Sequence, residues 1–187
     1  SYSLNDVTTG AKNTGVGAYT LEKVSTADHN TALGYNAGAD ITTGTANIAI
    51  GAYALDAATT SDNNTAVGYY GLGANTTGDK NTCLGSGAMS VNTTGNSNVA
   101  VGYAALDANT TGGYNIAVGQ NSLSVNTTGS YNIAVGQDAL ANVTTSDNVA
   151  VGRAALAQLT TGNQCVAVGA LALDAMTTGA GGVAVGY

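Results

Sequence analysis

Strong bases are scarce in this chain: Lys12, Lys23, Lys80 and Arg153 are the only ones, against eleven acids, and the net charge is −7. A surface that neutralises nucleic-acid phosphates needs several clustered cations, so nucleic acid is excluded as a partner. No apolar run reaches the length of a membrane-spanning helix, which predicts no insertion into a membrane. Proline, tryptophan and phenylalanine are absent, charged residues make up only 8% of the chain, and glycines number 27. Taken alone, that composition reads as low-complexity disorder. The other half of the composition argues against it, because 44% of the residues are apolar and they stand at fixed offsets. Such a chain buries enough surface to offset the entropy of ordering.

What is present is a repeat. The stretch Asn98-Val99-Ala100-Val101-Gly102 recurs along the whole chain, with its glycine at Gly17, Gly34, Gly51, Gly68, Gly85, Gly102, Gly119, Gly136, Gly152, Gly169 and Gly186. The step is 17 residues, apart from one step of 16 between Gly136 and Gly152. A fixed period of this size marks a solenoid, in which each repeat is one coil stacked on the last. The pattern therefore predicts an all-β parallel β-solenoid, a β-roll of about eleven 17-residue coils forming a single array over residues 1–187. Ser1 follows the place where a repeat glycine would stand, and Tyr187 follows Gly186. That phase leads us to expect a segment of a longer protein.

Three positions before each glycine stands Thr, Ile or Val, and one position before it Val, Ile or Leu. Alternating β-branched residues predict a short strand with one large apolar face. The residue between them is Ala, except at Gly15 and Cys83. The opposite face of the strand is thus small and uncharged in every coil, where a solvated face would carry polar residues. Burial on both sides is expected, with the small side covered by neighbouring chains in a cyclic oligomer. The other arrangement, Ala lining a tight interior while Val and Ile face a partner, also requires an oligomer.

Four residues after the glycine comes Leu, as at Leu106, with Met89 and Gly38 as departures. A second short strand is expected there, its Leu filling the coil opposite the Val or Ile. The corner follows, as Asn75-Thr76-Thr77-Gly78 or Asn109-Thr110-Thr111-Gly112. Here Asn and Gly are expected to supply positive φ, and Thr to bond the neighbouring coil. The one shortened step is expected just after a corner, between Asp147 and Asn148, because loops absorb deletions. Cys83 and Cys165 stand five coils apart, roughly 24 Å at about 4.8 Å per coil. That is far beyond disulfide reach, so both should be free thiols.

The run Asn-x-Ala-Val-Gly-x-x-Ala-Leu resembles the head repeat of trimeric autotransporter adhesins. Asn98 to Gly112 is more similar still to arrays seen in bacteriophage tail-fibre and related surface proteins. The resemblance spans the chain, although the adhesin repeat is shorter than seventeen residues. It implies a left-handed β-roll, a homotrimer, and a structural role as the shaft or receptor-contacting head of a phage tail fibre in the virion. A bacterial cell-surface adhesin head is the alternative, and flanking fibre domains or end-to-end stacking are expected.

The candidate residues fall into a few columns. Asn98, Ala100, Gly102, Leu106, Thr110 and Thr111 represent structural ladders repeated in every coil. The glycine column lacks the strand-to-helix context of a phosphate loop. Asp62 and Asp79 share a column on adjacent coils and invite a glycan-hydrolysis reading, which needs two carboxylates roughly 5–9 Å apart. They, with Asp28 and Asp147, read instead as turn residues, and no catalytic activity is expected. Lone His29 is expected to be solvated, and neither a metal-ligand cluster nor a calcium-roll motif occurs, so no cofactor or metal is expected. A threonine array suited to ice is a distant alternative, since Thr-Thr offers one outward file where a flat face needs Thr-x-Thr. Tyr69, Tyr70, Tyr103, Tyr114 and Tyr131 cluster at turns and are the receptor-contact candidates, for a glycan or a protein.

Overall fold

The computed structural model describes residues 2–187; Ser1 lies outside the described residues. The chain is an all-β parallel β-solenoid. Each coil contributes one three-residue strand ending just before its glycine: β1 (Thr14–Val16), β2 (Thr31–Leu33), β3 (Ile48–Ile50), β4 (Thr65–Val67), β5 (Thr82–Leu84), β6 (Val99–Val101), β7 (Ile116–Val118), β8 (Ile133–Val135), β9 (Val149–Val151), β10 (Val166–Val168) and β11 (Val183–Val185). They form one sheet in sequence order. Register is exact from coil to coil, with Ala100 beside Ala117 and Val101 beside Val118. This is what a 17-residue repeat requires if identical side chains are to stack.

The second expected strand does not form. The segment after each glycine is a series of turns, and Leu106 lies in left-handed backbone at φ 54°, as do Leu21, Leu55, Leu72, Leu123, Leu140, Leu156 and Leu173. Left-handed backbone is unfavourable for leucine. Two things offset the cost. The side chain, fully buried in all of them but the half-buried Leu173, stabilises by about 2 kcal/mol, and the backbone stays hydrogen-bonded to the adjacent coils. Leu106 N–H donates to the Ser122 carbonyl at 2.9 Å and Ala104 N–H to the Ser86 carbonyl at 3.2 Å. The intercoil ladder therefore continues well beyond the strands, leaving few backbone groups without a partner.

The interior is built from the small face of the strand. Ala32, Ala49, Ala66, Ala100, Ala117, Ala134, Ala150 and Ala167 are buried by their own coil, against the leucine column. This overturns the expectation that sister chains cover the alanines, and also the expectation that Leu packs against Val or Ile. The reason is volume: one narrow coil has room for Ala from the strand and Leu from the turn. A Val and an Ile in place of that Ala would overpack it.

Departures from the columns compensate one another. Gly38 replaces Leu, and Ile41 fills the space, its Cδ1 3.1 Å from where a Gly38 Cβ would stand. Cys83 replaces Ala, and its Sγ lies 2.8 Å from where a Cβ on Gly71 would be, so Gly71 leaves room for the sulfur. Burial pushes the Cys83 thiol up to about 12, which makes it unreactive as a nucleophile. Cys83 and Cys165 are both free and buried, as expected.

The corners are held by side-chain ladders along the axis. Asn98 Oδ1 accepts the Asn115 N–H at 2.9 Å, and its Nδ2 donates to Asn81 Oδ1 at 3.2 Å and to the Gly112 carbonyl at 2.9 Å. The same pattern links Asn30, Asn47 and Asn64. A second ladder joins Asn75, Asn92, Asn109 and Asn126, each amide also donating to the glycine carbonyl three residues on. Corner Asn75 and Gly78 are not at positive φ, contrary to expectation. Gly78 is small because a Cβ there would meet the Gly95 carbonyl oxygen of the next coil at 2.4 Å.

The shortened coil is absorbed inside the corner rather than after it. Ser146 and Asp147 pair with Ser130, through Ser130 N–H to Ser146 Oγ at 3.0 Å and Asp147 N–H to the Ser130 carbonyl at 3.1 Å. Thr145 consequently stands in the glycine column, and its carbonyl receives the Asn132 amide at 2.7 Å. The second asparagine ladder stops here against Val143, and Asn126 Oδ1 is buried without a partner.

Candidate interaction surface

With Ala turned inward, the β-branched residues of every strand point outward. Thr14, Val16, Thr31, Leu33, Ile48, Thr82, Leu84, Ile116, Val135, Val151, Val168, Val183 and Val185 are exposed, and the remaining outward positions are half-buried. No strand carries a charged residue. The result is a strip two side chains wide, running the length of the array, about 50 Å at roughly 4.8 Å per coil.

Tyrosines border this strip at both corners. Tyr114 and Tyr131 stack on consecutive coils, centroids 5.1 Å apart and planes 2° from parallel. On the other side, Tyr69 and Tyr70 lie 6.3 Å apart, within a longer file that sequence reading missed. Tyr2, Tyr19, Tyr35, Tyr53 and Tyr69 form a chain of ring contacts with successive centroids 5.4, 5.7, 5.4 and 6.2 Å apart. The signal was present but split, because these residues alternate between one and two positions after the glycine. Tyr103 occupies the same corner and is highly exposed.

The other candidate residues serve the fold. Asn98, Ala100 and Leu106 are fully buried. Thr110 Oγ1 donates to the Thr127 carbonyl at 3.0 Å, and Thr42, Thr59, Thr76, Thr93, Thr144 and Thr160 repeat this bond. The second file, which includes Thr43, Thr77 and Thr111, is exposed, whereas the first is half-buried from Thr42 to Thr110 and exposed at Thr127, Thr144, Thr160 and Thr177. The amides of Asn75, Asn92, Asn109 and Asn126, which fall in glycosylation sequons, are buried in their ladder. Asp79 Oδ1 accepts the Asp62 N–H at 2.7 Å, Asp62 Oδ1 accepts the Thr45 N–H at 2.6 Å, and Asp28 Oδ1 accepts the Ala11 N–H at 2.6 Å. These carboxylates thus cap the preceding coil. Asp147 stands one column further on, at φ 64°, and His29 shares that column, exposed, at φ 62°. Among the described residues no group of three His, Cys, Asp or Glu is placed to hold a metal.

One carboxylate is electrostatically uneasy. Asp56 Oδ1 is buried without a partner. Burial, with a smaller push from the Asp40 carboxylate, raises its pKa to about 6, against the pull of the Asp56 and Ala57 amides. The native state thus holds a proton that the unfolded chain, at about 3.9, has released. Stability contributed by the protonated carboxyl is fully present below pH 4 and is lost as pH rises through 6. Asp56→Asn is expected to match wild type below pH 4 and to exceed it above pH 6, by no more than about 1 kcal/mol because the residue is only half-buried and solvent screens it. Urea midpoints at pH 3.5 and 7.5 measure the difference. Asp107, at the same offset in its coil, is shifted in the same direction by burial.

Compared with known proteins, the chain matches no family model, no curated protein and no solved structure at a significant level.

Proposed function

We propose that this chain is a structural module of a fibre, assembled as a homotrimer, and that it forms the shaft or receptor-contacting head of a phage tail fibre in the virion. The observation that carries the reading is the outward strip of the sheet: apolar and threonine side chains on every coil, free of charge over its whole length. A soluble monomer rarely leaves so long an apolar surface open to water. Three copies packed strip to strip around one axis cover it and produce a straight rod, a closed symmetric assembly. Flanking fibre domains or end-to-end stacking cover the outer edges of β1 and β11, which otherwise invite non-specific strand pairing. The resemblance of Asn98–Gly112 to tail-fibre arrays supports the virion assignment. The bacterial adhesin head uses the same trimer on a cell surface, and immunogold labelling of virions and of cells separates the two.

Sedimentation equilibrium tests the assembly. Wild type is expected at three times the chain mass. Ile116→Lys combined with Val118→Lys places two charges per chain in the middle of the strip, each costing several kcal/mol if buried unpaired. The double variant is expected to weaken association at least about a thousandfold and to sediment as a folded single chain. A wild-type single chain at micromolar concentration overturns the proposal.

A further inference from the structure

We propose that Tyr35, Tyr69 and Tyr103 form a stacking platform for an extended β-1,4-linked glycan lying along the solenoid axis. The inference rests on the reading of the chain as receptor-contacting and names the chemistry of that receptor. All three residues directly follow their coil's glycine, and successive members are 34 residues apart. They therefore occupy one column at every second coil, roughly 9.6 Å apart at about 4.8 Å per coil. All three are exposed, at 48, 60 and 62%; Tyr2, also exposed, stands in the neighbouring column with Tyr19.

Two of the rings are braced by neighbouring tyrosines of the file and by Tyr70. Tyr35 meets Tyr19 at 79° and Tyr53 at 72°, while Tyr69 meets Tyr53 at 85° and Tyr70 at 36°. The three edge-to-face contacts, Tyr19–Tyr35, Tyr35–Tyr53 and Tyr53–Tyr69, hold ring orientation, so little side-chain freedom is lost when a ligand settles on them. The same column continues with the exposed amides of Gln120 and Gln137.

The spacing selects the ligand. In a β-1,4-linked pyranose chain each unit is turned half-way round relative to the last, so the same apolar face recurs at every second sugar. That disaccharide repeat is close to the rise of two coils. Three rings at two-coil intervals meet three equivalent faces, leaving the intervening sugars to water and to hydroxyl donors. Coiled α-linked glucans have no straight repeat to match this column.

Co-sedimentation with microcrystalline cellulose and with chitin, and titration with cellohexaose and chitohexaose, test the platform, with amylose as the α-linked control. Wild type is expected to bind at least one β-1,4 polymer and its hexamer and to ignore amylose; the two polymers distinguish glucose from N-acetylglucosamine as the unit. The Tyr35→Ala, Tyr69→Ala, Tyr103→Ala triple variant should lose at least tenfold in affinity, and the matching Phe triple should retain binding. A register variant, Tyr69→Ala with Ser86→Tyr, keeps three rings in the column but breaks the two-coil step, and should also lose at least tenfold. Equal binding by the register variant, no binding of β-1,4 glycans by wild type, or preference for amylose overturns the proposal. Sedimentation of each variant is measured alongside. Loss of oligomer mass in the Ala triple assigns the rings to interchain packing and overturns the platform, whereas a single-chain wild type that still binds glycan overturns the trimer and leaves the platform standing.

Discussion

Gly102→Ala is expected to lower the stability of the array by about 3 kcal/mol or more. Two independent costs add. Gly102 has φ 133°, backbone that residues with a Cβ almost never adopt. A Cβ there would also stand 2.7 Å from the carbonyl carbon and 2.8 Å from the oxygen of Gly119. Both are main-chain atoms fixed by the next coil, which is fixed in turn by the one after it, so no flexible side chain moves aside. Gly87 supplies the control. It has φ 67°, in the ordinary left-handed region, with nothing within 4 Å of a Cβ, and Gly87→Ala should cost only about 1 kcal/mol. Urea unfolding followed by circular dichroism compares the two. Equal losses would show that the glycine column is required for backbone freedom alone and not for close approach of the coils.

The second large effect is expected at Asn98→Ala. Its side chain satisfies the Asn115 N–H and the Gly112 carbonyl in a place where no water reaches. Removing the amide leaves the Asn115 N–H buried and unpaired, at about 1–3 kcal/mol, and opens a small void, while the Gly112 carbonyl keeps its bond from the Asn109 amide. The expected total is about 2 kcal/mol, measured by the same unfolding experiment. The same change at Asn13 should cost visibly less, since Asn13 is only part-buried and begins the ladder. In a stack whose coils contact only their neighbours, a lesion in the middle also uncouples the two halves. Hydrogen exchange in Asn98→Ala should therefore accelerate on both sides of the substituted coil. A loss below 1 kcal/mol would mean that water replaces the amide.

The strands, the register and the asparagine and glycine columns were legible in the repeat, because each places one chemistry at one offset in coil after coil. Which face of the strand points inward was not. Alternation at Val99, Ala100 and Val101 sorts side chains into two sets, but only the volume enclosed by a coil says which set fits inside. Leu106 in left-handed backbone was equally hidden, since local preference argues against it and the burial that outweighs it is a property of the assembled stack. The site of the deletion was ambiguous for a simpler reason. Asp147 and Asn148 follow a corner in the written sequence, but the hydrogen bonds of Ser130 with Ser146 and Asp147 shift the gap onto Thr145. Of the tyrosines, the pairs Tyr69–Tyr70 and Tyr114–Tyr131 could be found by adjacency. The longer file from Tyr2 could not, until the fold brought two neighbouring offsets onto one corner.

Because coil after coil meets its neighbours through the same backbone register, with an interior pair of Ala and Leu in most of them, the molecule is a ruler graduated in single coils. Copying or excising any block of seventeen residues changes its reach by about 4.8 Å without inventing a new kind of junction. Surface features can thus be moved apart by whole steps while the rod beneath them stays unaltered.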